Sequence, residues 1–238
     1  MSQYPVRMEW ALPPAVSWPR FLRLLRKADP PRGWLEDAAA LPDLRRRPLL
    51  LRWIAQHPKA PAHLRTTLLG RLPWRALAVI AQDPAAHPQA RAQATERLKA
   101  LWPALSLGER RSLAPLAPRA LWPLVWRTPD RGVLAALLCH PRLSLETLLG
   151  LVQPPLRPGQ LEALTASPWL GAAPLSHQVL GLLDQALREA PGELVLGHGA
   201  PWIKALDPTE RLVAASHLGH PPLRRACRTW AVPALPEE

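Results

Sequence analysis

Few residue types in this chain stand at spacings that could do chemistry. His217-x-x-His220 has the spacing of two zinc ligands, but Pro221 follows and the sequence offers no third ligand. His57, His140 and His220 each precede a proline, and Asp29, Asp83 and Ser167 hold the same place elsewhere. A set that mixes His, Asp and Ser points to hydrogen bonding with a turn or the next helix start, not to proton transfer. Cys139 and Cys227 are too few for a four-thiolate site and too far apart in sequence register to pair. They are expected to be buried small hydrophobes. There is no G-x-S-x-G, no H-E-x-x-H, no Gly-rich phosphate loop and no acidic pair at a distinctive spacing. No catalytic, cofactor-binding or metal-ligating residue is assigned, and a non-enzymatic role is expected.

Binding chemistry is better represented. The 238 residues carry 30 Lys+Arg against 18 Asp+Glu, a net charge of +12. The surplus is uneven: residues 1–60 carry +6, residues 61–131 carry +7 and residues 132–238 carry −1. Arg45-Arg46-Arg47, Arg52 and the pair Arg110-Arg111 add local density. A basic stripe of this kind suits an acidic protein or a nucleic acid. Arginines can equally solvate a helix face, and 26 Arg against 4 Lys is what GC-rich coding would produce. The 11 tryptophans mostly fall on apolar faces, where core packing is expected. Trp34 and Trp53 border basic segments and are the candidates for stacking on a partner.

These residues are positioned by a repeat. Ile54-Ala55-Gln56-His57-Pro58 recurs as Ile80-Ala81-Gln82-Asp83-Pro84, with weaker copies ending at Pro30, Pro141, Pro168 and Pro221. The anchor prolines are 28, 26, 57, 27 and 53 residues apart, so degenerate copies are expected near 112 and 195. Each unit reads as an apolar-periodic helix stopped before the proline. A second helix then starts at Pro61, Pro88, Ser144 or Pro174. Ser106…Glu109 and Asp207…Glu210 read as capping boxes. Arg65 and Arg91 stand seven residues after their anchors, and Arg71 and Arg97 thirteen after. In stacked repeats these pairs form ladders about 10 Å apart, the usual helix-packing distance.

The apolar-Ala-x-polar-Pro turn and the Pro- or Ser-started helix after it resemble the HEAT-like α-helical repeats, and more closely the bacterial leucine-rich-repeat variant. The best matches are 51–72 and 77–101. That family's namesake carries a cysteine cluster for an iron–sulfur centre, and two cysteines do not supply it. Some HEAT-like proteins are DNA glycosylases with a Trp/Asp/Arg cleft, but no residue-by-residue match is present here. The resemblance and the repeat together imply an all-α, right-handed solenoid of about eight degenerate 26–28-residue units. Residues 1–231 form one domain in this reading, with 1–19 as an N-terminal cap and 232–238 as a loose tail.

Composition agrees with the helical reading. Leu numbers 47, whereas Val, Ile and Thr number 10, 3 and 8, which argues against an all-β fold. The start MSQYPVRMEWALPP lacks a charged segment followed by an apolar block, so no signal peptide is expected. The longest uncharged run, 163–183, is broken by Pro168, Pro174, His177 and Gln178, so no membrane span is expected and a cytoplasmic location follows. The expected function is a protein–protein interaction scaffold with a basic N-terminal half that favours an acidic partner. The alternative is a solenoid that contacts nucleic-acid phosphates through the arginine ladders, and a third reading, implied by the resemblance alone, is a HEAT-like DNA glycosylase. The sequence leaves the oligomeric state open.

Overall fold

The computed structural model describes residues 10–13, 17–27, 29–189 and 196–231, without the side chains of residues 45, 46, 196 and 231. The expected cap falls partly, and the tail (232–238) and the copy near 195 wholly, outside the described residues. All regular elements among the described residues are helical, as the composition predicts. The packing divides the chain into two compact units. Unit 1 is residues 1–105 with 118–121, and unit 2 is residues 106–117 with 122–238.

Unit 1 contains α1 (Trp18–Leu24), α2 (Trp34–Ala40), α3 (Pro48–Gln56), α4 (Ala62–Arg71), α5 (Trp74–Gln82) and α6 (Pro88–Leu101). Leu51, Ile54, Leu68, Leu69, Leu77 and Ile80 form its core, each at most 4% exposed. Ala90 and Ala94 are fully buried on α6, where a small side chain lets helices approach closely. Unit 2 contains α7 (Leu107–Leu113), α8 (Trp122–Trp126), α9 (Arg131–Leu138), α10 (Leu145–Leu151) and α11 (Pro158–Thr165). It continues with α12 (Ala173–Glu189), α13 (Ala200–Ala205), α14 (Pro208–His217) and α15 (Pro221–Ala231). Its core takes Val133, Leu134, Leu137, Leu148, Leu164, Leu175, Val179 and Trp202. Burying each Leu or Val stabilises by roughly 1.5–3 kcal/mol.

The helices stop and start where the sequence says. α3, α5, α9 and α11 end just before Pro58, Pro84, Pro141 and Pro168. Pro61 and Ser144 cap α4 and α10, Pro88 opens α6, and Pro174 lies in the first turn of α12. Ser106 and Glu109 close a full capping box on α7, and the Asp207 carboxylate accepts the Glu210 N–H at the start of α14.

One turn recurs at four anchors. The side chain before the proline accepts the N–H of the residue after it: Lys59 N–H to His57 Nδ1, Ala85 N–H to Asp83 Oδ1, Arg142 N–H to His140 Nδ1 and Trp169 N–H to Ser167 Oγ. The same residue's carbonyl then accepts from the residue three further on, at Ala60, Ala86, Leu143 and Leu170. His, Asp and Ser share the position because each carries an acceptor two or three bonds from Cα, close enough to meet a nearby backbone N–H. The copy at Pro221 differs: His220 precedes a helix start, and its N–H donates to the buried Asp184 carboxylate at 2.6 Å.

Proline ends a helix without closing it. His57, Leu72, Asp83 and Ala117 all lie in the extended region before a proline, and the carbonyls behind them lose their helical partners. Side chains from about one repeat further on supply the donors. His57 Nε2 meets Lys27 O at 2.9 Å, Gln160 Nε2 donates to Trp126 O at 2.8 Å, and Trp169 Nε1 donates to Leu138 O at 3.0 Å. Gln178 Nε2 reaches both Leu149 O and Val152 O, at 2.9 and 2.6 Å. These bonds span 26 to 34 residues of sequence, so several helix-end carbonyls are satisfied by side chains from a later segment. The left-handed Gly33, with φ 82°, is the only positive-φ residue among those described, so glycine C-caps do not serve here.

Cys139 overturns one expectation. It is exposed at the C-terminus of α9, whereas Cys227 is buried on α15 as expected. Cys139 stands two residues before its anchor. The same position holds Gln56 and Gln82, both half-buried polar residues, so the register turns outward there. Burial pushes the Cys227 thiol up to about 11. A thiol reagent at about pH 8 should therefore modify one cysteine in the folded protein and two after denaturation. Cys139→Ser should abolish the native reaction.

His140 is 4% exposed and its ring lies 5.0 Å from that of Trp122, edge to face. Burial lowers its pKa below the ordinary 6.5, opposed in part by the Ala117 backbone carbonyl. The neutral ring is favoured in the folded state, so its contribution is complete above 6.5 and is lost as pH falls through the folded value. Urea titrations between about pH 7 and pH 5 should show falling stability, with a shallower fall in His140→Gln.

Candidate interaction surface

The candidate basic residues separate by register. The position seven after an anchor points inward at Pro141 and Pro168, where Leu148 and Leu175 are fully buried, and outward at Pro30 and Pro221, where Asp37 and Arg228 are exposed. Arg65 holds it after Pro58 and is 3% exposed. Its guanidinium donates from Nε to Ala55 O at 3.3 Å, from Nη2 to Ala60 O at 3.0 Å and from Nη1 to Gln89 Oε1 at 3.4 Å. Arg65 thus closes the open C-terminus of α3 and does not face a partner; burial lowers its pKa. This corrects its assignment as a ladder residue. Arg91 is half-buried at the same register.

The position thirteen after an anchor points outward, and Arg71 and Arg97 are both exposed there. Arg47 is exposed, with its guanidinium 4.6 Å from the Trp18 ring centroid. Arg52 is half-buried, with its Nε enclosed and lacking a hydrogen-bond partner. The side chains of Arg45 and Arg46 lie outside the described residues. Arg110 is half-buried. Arg111 pairs bidentately with Asp130, Nε to Oδ1 at 3.1 Å and Nη2 to Oδ2 at 3.0 Å. The guanidinium holds the Asp130 carboxyl below its ordinary value, and the same carboxylate caps α9 through the Val133 N–H. Arg111 is therefore committed to an intramolecular contact. Arg211 does for α13 what Arg65 does for α3, donating to Ile203 O at 2.8 Å and Lys204 O at 3.1 Å.

The tryptophan candidates also divide. Trp34 is 5% exposed, packed against Phe21 and Trp10, and its Nε1 donates to Trp10 O at 2.7 Å. It is a core residue, which corrects its place among the stacking candidates. Trp53 is half-buried on α3, with the Arg26 guanidinium 5.2 Å from its ring centroid. In unit 1, Lys27 over Trp10 and Arg75 over Trp74 make the same kind of contact, at 5.4 and 5.1 Å. Sequence reasoning missed these cation–π pairs, although Arg26–Trp53 stand 27 residues apart, one repeat step.

Electrostatics distinguishes the units. Unit 1 holds 18 Lys+Arg against 7 Asp+Glu, and unit 2 holds 12 against 11. Each described carboxylate of unit 1 is accounted for. Glu36, Asp37 and Asp43 lie in first helical turns, where the helix dipole favours them. Asp29 pairs with Lys59, Glu96 with Lys99, and Asp83 accepts from Gln56 and from its own turn. Arg23, Arg32, Arg71 and Arg97 are exposed and engage no carboxylate. No group of three or more His, Cys, Asp or Glu among the described residues is arranged to hold a metal ion, and His217 is exposed. No described helix is long and apolar enough to cross a membrane.

Arg65→Ala should lower stability by about 2–3 kcal/mol, because it strands two buried carbonyls and the Gln89 amide oxygen. Arg71→Ala should stay within about 0.5 kcal/mol. Urea unfolding of the two variants measures the contrast. Comparison with known protein families, curated proteins and solved structures gives no match.

Proposed function

We propose that the chain is a non-enzymatic adaptor, a right-handed α-solenoid of about eight degenerate 26–28-residue repeats that grips an acidic protein partner through unit 1. The recurring turn and the hydrogen bonds that span about one repeat support the repeat architecture. The observation that carries the binding role is the charge of unit 1, 18 basic against 7 acidic residues, together with exposed arginines that no carboxylate neutralises. Keeping such a surface costs self-repulsion, which an acidic partner would relieve. The exposed pair Arg71 and Arg97, at one register, favours the second reading, a nucleic-acid phosphate track. The resemblance to HEAT-like repeats and the two unpaired thiols fit a cytoplasmic adaptor.

Fluorescence anisotropy against duplex DNA, single-stranded DNA, RNA and poly-glutamate separates the readings. The adaptor should bind nucleic acid only at low salt, the general attraction of a +12 chain, and keep poly-glutamate at about 150 mM salt. Micromolar or tighter nucleic-acid binding at that salt, with a salt slope reduced by about one unit per arginine lost in Arg71→Ala and Arg97→Ala, would establish the second reading instead.

A further inference from the structure

Four residues of unit 1 share a place that the charge argument does not use. Leu49 and Arg75 stand nine residues before Pro58 and Pro84, and Trp53 and Val79 stand five before them. Leu51 and Leu77, seven before, and Ile54 and Ile80, four before, are buried. At 3.6 residues per turn, the positions nine and five before an anchor lie one above the other on a stripe offset from that core. Leu49 is 53% exposed and Val79 45%, two of the large apolar side chains that remain in water. Trp53 is half-buried under Arg26, Arg75 is exposed, and Arg47 lies at the N-terminal end of α3. α3 and α5 pack against each other, which sets the apolar Leu49, Trp53 and Val79 and the basic Arg75 at corresponding positions of neighbouring helices.

Before Pro141 and Pro168 in unit 2 the same positions are small, whereas before Pro221 they hold Leu212, 55% exposed, and Ser216. Gly132 and Gly159 hold the place nine before an anchor, and Ala136 and Ala163 the place five before. A Cβ on Gly132 would stand 2.6 Å from Arg111 Nε, and one on Gly159 would stand 3.0 Å from Pro129 O. Ala163 is 1% exposed. There, other segments of unit 2 lie against the face and small residues make room for them. In unit 1 the face is open and its side chains are large.

We propose that this α3–α5 face is the docking surface and that its occupant is an amphipathic helix of a partner protein, with an apolar stripe flanked by Asp and Glu. The inference rests on the adaptor reading and names its surface. Charge complementarity selects the occupant: Arg26 stands over Trp53, the exposed Arg75 shares the stripe with Val79, and the described carboxylates of unit 1 are engaged elsewhere. A phosphate backbone would match the arginines but would gain nothing from Leu49 and Val79. A helix with anchors at i, i+3, i+4 and i+7 uses both parts of the face.

The test uses the full chain and a labelled helix-forming peptide with Leu at every third and fourth position and Glu on the flanks. A scrambled peptide of equal composition, poly-glutamate and duplex DNA serve as competitors. At about 150 mM salt the amphipathic peptide should bind at least about tenfold more tightly than the scrambled one. Leu49→Ala with Val79→Ala should weaken it about tenfold, and Arg71→Ala with Arg97→Ala should leave this preference over the scrambled peptide intact. Both apolar residues are exposed, so the thermal transition should not move; slowed amide exchange over 48–56 and 74–82 on peptide addition is the second readout. Equal binding of the scrambled peptide, or full affinity in the Leu49/Val79 variant, overturns this face while the adaptor reading stands. Loss of all acidic polypeptide binding, or tighter binding of DNA, overturns both.

Discussion

The structure depends on how its helices end. A helix that runs into proline stops cleanly, but its last carbonyls are left facing a chain that has turned away. Many helices close such ends with a left-handed glycine. Here no described helix does so. His57, Gln160, Trp169, Gln178, Arg65 and Arg211 reach those carbonyls from the next segment instead. A cap that comes from a neighbour binds the neighbour as well as the helix. Local termination and inter-helix packing become one interaction, and helices of 7 to 10 residues, too short to persist alone, are held in register.

This requirement sorts the arginines. A guanidinium carries five donors in a fixed fork and stays charged when buried, so it suits the space between two helix ends. Arg65 and Arg211 fill that role, and Arg157 does so more loosely by donating to Arg127 O at 3.2 Å. Arg111 and Arg188 are committed to Asp130 and Asp184. Much of the arginine of unit 2 is thus architectural, and that unit is near neutral. Unit 1 has arginine in excess of its carbonyls and carboxylates, and the excess is outside. The composition bias that supplies arginine everywhere does not explain why unit 1 alone carries a large net positive charge.

The all-helical class, the helix stops and the shared turn were legible because each is a local consequence of X-Pro geometry. A proline at a fixed place fixes the residue before it, and an acceptor side chain there has one nearby N–H to meet. The site was less legible because a charge does not announce which way it faces. Arg65 and Arg71 read alike in sequence, yet one closes a helix and the other meets water. Only part of the signal was present in the register: Leu148 and Leu175, at Arg65's position, are buried, but Asp37 and Arg228 hold the same place after Pro30 and Pro221 and are exposed. Cys139 was misplaced for the same reason, with Gln56 and Gln82 marking its position as outward. Trp34 was not recoverable this way, because its burial depends on Phe21 and on Trp10, which lies in the N-terminal segment before the repeat.

Register also explains why one face can differ between units built from the same turn. A position that must admit a guanidinium or a carbonyl from a neighbouring segment can hold only glycine or alanine, and Gly132, Gly159 and Ala163 obey that limit. A position with nothing against it has no such limit and would ordinarily drift to polar residues, since exposed Leu and Val gain no stability there. In unit 1 the freed positions are instead Leu49, Trp53 and Val79 beside Arg75. Steric constraint permits large side chains at that face, but it does not require apolar ones. What the fold leaves unexplained at those positions is the apolar character itself, and the proposed interface would give a reason for it that packing within the chain does not.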